Sequence, residues 1–185
     1  MWNKEILMDF KLTYIFILIL GLFACSTNKE SNWEKDGKEV TIYIQNAMPH
    51  CGGMAPDPEI DYPIMDPYIG CTLSVHLAND DGTRGEKVGE ILTNHEGKAK
   101  ISLKKGMYQL WKPSKFDSFS EFMDKESPVK SSNYAYRDEA CFQEWYDRPD
   151  FELEVTAKPE FSFSYQNRCF TGAHPCMIYS GPYPP

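Results

Sequence analysis

The sequence predicts a mainly β protein: an antiparallel β-sandwich with a short helical insertion, placed behind a secretory leader. Three observations predict it. Several segments alternate apolar and polar residues with period two and are separated by Gly, Asn and Asp turns. One internal stretch, about 114–148, changes to helical spacing. The chain begins with a basic start and a single apolar run, unlike anything that follows.

The leader runs to Cys25. Lys11 precedes an apolar run of 11 residues, Tyr14 to Ala24, too short for a bilayer span of roughly 20 residues. Its last four residues, Leu22-Phe23-Ala24-Cys25, resemble a bacterial lipobox, with Phe23 bulkier than is common there. That resemblance implies a lipoprotein signal peptide over 1–24 and acylation (palmitate or a similar chain) of Cys25, the new N-terminus. Each buried methylene adds about 0.8 kcal/mol, so two or three acyl chains hold a domain on a membrane. The expected location is the bacterial cell envelope, lipid-anchored to the outer membrane, with the domain outside the cytoplasm. Residues 26–38 are polar and read as a flexible tether, which places the β-sandwich domain at 39–185.

Charge excludes some partners. The chain has 27 acidic and 19 basic residues, a formal net charge of −8. Nucleic acid requires clustered Lys and Arg, and anionic lipid likewise repels such a surface. The expected partners are the membrane, through the anchor, and a protein or glycan ligand. No cofactor is expected.

The elements follow in order. Glu39–Asn46 alternates Val40, Ile42 and Ile44 against Thr41, Tyr43 and Gln45, a half-buried strand. The proline- and glycine-rich connection from Ala47 to Gly70 excludes regular ladders and helices and marks a long loop that is functional or crosslinked. Cys71–Leu77 is a second strand, with Cys71, Leu73, Val75 and Leu77 on one side and His76 on the outward side. Lys87–Thr93, Lys98–Lys104 and Met107–Trp111 complete a run of strands joined by Asn- and Gly-containing turns. Ser118–Lys125 and Arg137–Tyr146 have helical spacing, and Asp138 and Glu139 suit a helix start. Phe151–Thr156 and Glu160–Arg168 alternate strictly and read as a final hairpin across Lys158-Pro159.

One segment carries a fold resemblance. Leu92-Thr93-Asn94-His95-Glu96-Gly97-Lys98-Ala99, then Leu103-Lys104-Lys105-Gly106-Met107-Tyr108, resembles the T-x-x-x-G-x-x … L-x-x-G-x-Y pattern of carboxypeptidase regulatory-like domains. It implies an Ig-like/prealbumin-like (transthyretin-like) β-sandwich, with Gly97 closing a hairpin and Tyr108 packing between sheets. It supports a fold more than an activity.

Six cysteines in an exported chain point to disulfides. With Cys25 acylated, Cys51, Cys71, Cys141, Cys169 and Cys176 remain, an odd number. Cys71 lies in an alternating strand and reads as the unpaired, buried one. The remaining pairing stays open on residue spacing alone. Cys51-Gly52-Gly53-x-x-Pro56-x-Pro58-Glu59, with the Tyr179-Ser180-Gly181-Pro182-Tyr183-Pro184-Pro185 ending, is similar to small bacterial lipoproteins of the same sandwich type. That likeness implies that Cys51 goes with Cys169 or Cys176, a bridge worth about 4–5 kcal/mol in the chain-entropy treatment.

Two loops carry soft metal donors: Met48, His50, Cys51 and Met54 in one, and His174, Cys176 and Met177 in the other. Together they form a set suited to copper or zinc. An oxidising compartment favours disulfides over thiolate ligands, so metal binding by His50, Cys51, Met54, His174, Cys176 and Met177 is the alternative reading. Asp57, Glu59, Asp61 and Asp66 match no EF-hand spacing and read as a solvated loop. The chain lacks Gly-x-Ser-x-Gly and His-Glu-x-x-His, and His95 sits in a turn. Trp111, Tyr134, Tyr136 and Trp145 offer a sugar- or peptide-binding platform if exposed, although core packing explains large aromatics first. The expectation is a non-enzymatic binding or structural module with disulfide-stapled loops.

Overall fold

The computed structural model describes residues 37–52, 55, 57–127, 133–156 and 158–182. The leader, Cys25, most of the tether and Met54 lie outside the described residues. The fold is mainly β. Strand β1 (Lys38–Met48) is the spine of the first sheet. Along one edge it pairs antiparallel with β5 (Lys98–Leu103) and, further on, with β2 (Ile64–Pro67). The second sheet is β4 (Arg84–Leu92), β3 (Thr72–Ala78), β6 (Gly106–Trp111) and β8 (Phe151–Val155), antiparallel throughout.

The two sheets share one apolar core. Period-two alternation puts Val40, Ile42 and Ile44 of β1 against Leu73, Val75, Leu110, Leu153 and Val155, all at most 3% exposed. Gly97 closes the turn before β5 at φ 72°, and a Cβ there would meet the Ile44 carbonyl oxygen at 2.6 Å. Tyr108 is buried, and its hydroxyl donates to the Lys104 carbonyl at 2.9 Å. Tyr108 therefore packs in the shared core as the L-x-x-G-x-Y spacing implies, but Gly97 closes no hairpin: β4 and β5 belong to different sheets, and Gly97 turns the chain from one sheet to the other.

Three further expectations need correction. Strand β9 (Glu160–Gln166) does not form a hairpin with β8; it joins the first sheet, parallel to β1 from Thr41↔Glu160 to Ala47↔Gln166. Alternation identifies a strand and its buried face but not its partner. The proline-rich connection does contain a short ladder, β2. It is an edge strand, exposed throughout, where its terminal Pro67 forfeits nothing. His76, expected outward in solvent, is 6% exposed.

The insertion explains His76. Between β6 and β8 the chain makes a 3₁₀ turn (Pro113–Phe116), helix α1 (Phe119–Glu126), strand β7 (Tyr134–Tyr136) and helix α2 (Glu139–Asp147). Ser118 and Glu121 form a capping box on α1, and the Asp138 carboxylate accepts from the Cys141 amide at the start of α2. Phe116 of the 3₁₀ turn stacks on His76, with ring centroids 5.2 Å apart. The outer face of the second sheet is thereby covered, burying Ser74, His76, Gln109 and Trp111 as well as the inward residues. The helices close on a small aromatic core of Phe122, Phe142 and Trp145, together with Cys176. β10 (Met177–Tyr179) returns to pair with β7.

Candidate functional site

The neck of the insertion is where charge is buried. The chain leaves the second sheet at Lys112 and re-enters at Asp150, and the two ends are tied together. The Asp150 amide donates to the Leu110 carbonyl at 2.9 Å, and the Lys112 amide donates to Asp150 Oδ2 at 2.8 Å. Lys115 reaches in from the 3₁₀ turn, its Nζ 3.3 Å from Asp150 Oδ2 and 2.8 Å from the Arg148 carbonyl oxygen. The two side chains are 0% and 3% exposed. Trp111 and Trp145 rings lie 5.7 Å from the ammonium. Burial pushes the Lys115 pKa down, and Asp150 works against that shift.

Beside this neck opens a cavity of about 610 Å³, within the usual range for small-molecule sites. Its walls come from Lys112, Trp145 and the start of β8 on one side, and from Ser164, Tyr165 and Gln166 at the end of β9 on the other. The cavity thus sits at the seam where the edge of each sheet meets the insertion. The Lys112 ammonium lies 4.9 Å from the Tyr165 ring centroid and 5.4 Å from that of Trp145. The Tyr165 hydroxyl is buried with no hydrogen-bond partner among the described residues. Burial, then Asp150 and Cys71, push its pKa up, so it stays a neutral phenol. Cys71 is an unpaired buried thiol, its pKa pushed up to about 11 by burial against the opposing pull of Lys112.

The cysteines expected to pair do pair: Cys51 with Cys169 across a separation of 118 residues, and Cys141 with Cys176 across 35. Among the described residues the soft donors are not brought together. Cys51 and Cys176 belong to different bridges, His50 packs edge-on against Tyr62 at 5.1 Å, and Met177 is buried in β10. His174 uses both ring nitrogens: Nε2 is 2.6 Å from the Glu126 carbonyl oxygen, and Nδ1 accepts from the Cys176 amide at 3.1 Å. Among the described residues no three His, Cys, Asp or Glu side chains gather at metal-binding distance. Asp57, Glu59, Asp61, Asp66 and His95 are exposed. Trp111 and Trp145 are core residues, 4% and 6% exposed, and Tyr134 and Tyr136 are half-buried in β7, so no flat aromatic platform forms from these four.

Sequence reasoning missed Lys112, Lys115, Asp150 and Tyr165. No local pattern marks them, since they lie on three separate stretches, Lys112–Lys115, Asp150 and Tyr165, that only the tertiary fold brings together. Comparison with family models, curated proteins and solved structures finds no match for this chain.

Proposed function

We propose that this chain is a lipid-anchored lipoprotein of the bacterial cell envelope. Its prealbumin-like β-sandwich serves as a binding module rather than an enzyme and takes its ligand in the cavity at the insertion neck. The carrying observation is the pairing of four cysteines into two bridges, downstream of a leader that ends at a further cysteine. Such bridges persist in oxidising compartments, and a lipobox-like Leu22-Phe23-Ala24-Cys25 ending supports acylation as the means of attachment. Tyr108, buried in the core that the two sheets share, supports the prealbumin-like reading. The cavity, with Lys112 on its wall between the Trp145 and Tyr165 rings, supports binding.

Intact mass of the protein purified from membranes, with alkylation before and after reduction, tests this reading. The expected species begins at Cys25, carries two or three acyl chains, and under denaturing, non-reducing conditions alkylates once, at Cys71. Recovery of the uncleaved chain with all six cysteines alkylated without reductant overturns it.

A further inference from the structure

The geometry points to a small carboxylate-bearing molecule as the ligand of the seam cavity, with Lys112 as its counter-ion. The inference deepens the binding-module reading and rests on it. Among the described lysines that are not fully exposed, Lys98, Lys112 and Lys115, two have carboxylate partners, Glu96 and Asp150 respectively. Lys112 makes no ion pair with any described residue. This holds in a chain with an excess of acidic residues, where a partner is easily supplied. Its neighbours are the Trp145 and Tyr165 rings, which hold an ammonium in place but offer it no lone pairs. The three N–H donors of Lys112 are therefore available to a molecule in the cavity it lines.

The acidic groups on the same wall are already engaged. Asp150 accepts from the Lys112 amide and pairs with Lys115, and Glu152 accepts from Gln109 Nε2 at 3.2 Å. Arg148 stands exposed at the rim, its charge paired with Glu144 at 3.4 Å. Tyr165 contributes its ring to the wall beside Lys112, while its hydroxyl is fully buried. Ser164 and Gln166 add neutral hydrogen-bonding groups. One charge-assisted contact surrounded by neutral polar groups suits an acid whose remainder is polar, of the size of a sugar acid or an acylated amino acid.

The test is calorimetric titration of the full mature protein, in detergent and with both disulfides intact. The probes are sodium glucuronate and N-acetylalanine, against their uncharged counterparts methyl glucoside and N-acetylalaninamide. The expected result is that one of the two acids binds, and which one identifies the source of the carboxylate. Its uncharged counterpart should bind about tenfold more weakly or worse, the range for a hydrogen bond to a charged group. Lys112→Gln should lose a similar factor while Lys112→Arg retains binding. An unchanged melting temperature for both variants separates this from misfolding. Equal binding of acid and neutral probes, or acid binding indifferent to Lys112→Gln, overturns the carboxylate proposal and leaves the binding-module reading standing. No binding of any probe counts against both.

Discussion

Fourteen buried residues drawn from both sheets meet inside the sandwich, whereas four, Phe122, Phe142, Trp145 and Cys176, make the satellite core under the insertion. The sandwich core is mostly aliphatic and alternates along its strands, so each residue is held by neighbours on several strands. The satellite core is three aromatic side chains with one half of a disulfide, closed by two helices of 8 and 9 residues. Helices that short are marginal alone and depend on packing and crosslinks. The difference teaches where each stabilising device is needed. The ladder-rich sandwich is specified by pattern, and the small core by a disulfide, a buried ion pair and edge-to-face aromatic contacts.

Removing each bridge separates the two regimes. In the chain-entropy treatment the 118-residue separation is worth up to about 5 kcal/mol and the 35-residue one up to about 4. Cys51 and Cys169 follow β1 and β9, which are already laddered together. Cys51→Ala/Cys169→Ala should therefore lower the denaturant midpoint while leaving the pattern of amide exchange unchanged. Cys141→Ala/Cys176→Ala should lower stability less, yet raise exchange selectively in α2, β7 and β10, with β1 and β3 still protected. Uniform exchange in both variants would show that the satellite core does not open independently.

The same contrast governs what the sequence revealed. Alternation in 40–44, 98–103 and 151–155 located strands and their buried faces, and Asp138 marked a helix start, because these signals are local. The partner of β9 was not legible, since period two says nothing about which edge a strand joins. His76 was misplaced because the insertion, remote in sequence, covers a sheet face that would otherwise be solvated. Cysteine counting left one thiol over and identified Cys71 from its strand, but the lysines and tyrosine of the cavity carry no comparable arithmetic.

The next largest effect is expected at the neck. Asp150→Asn keeps an acceptor for the Lys112 amide but leaves the buried Lys115 ammonium without its counter-charge. Breaking a buried pair this way costs about 3–5 kcal/mol. The double change Lys115→Met/Asp150→Asn removes both charges and should recover most of that loss, read as the return of the denaturant midpoint. If the double variant is no better than Asp150→Asn, the loss lies in the carboxylate's backbone contacts and not in the uncompensated charge.

The smallest expected effect belongs to His174, which sits among Tyr136, Phe142 and Trp145 with ring centroids 4.8–5.6 Å away. Burial is the main cause that holds its pKa below 6.5; the Glu126 contacts oppose it, and Lys112 adds to it weakly. The folded state therefore binds fewer protons than the unfolded chain as pH drops below 6.5. Its contribution to stability is complete above that pH, declines as pH falls through 6.5, and levels off below the depressed folded value. Protonation would place a hydrogen on Nδ1, against the Cys176 amide that donates to it. The melting temperature should accordingly fall between pH 7 and pH 5 by on the order of a few degrees, and His174→Gln should flatten that component. Direct NMR titration of the ring should give a midpoint below 6.5. A midpoint above it would mean that the Glu126 carbonyl outweighs burial, and that the satellite core is wetter than its aromatic packing implies.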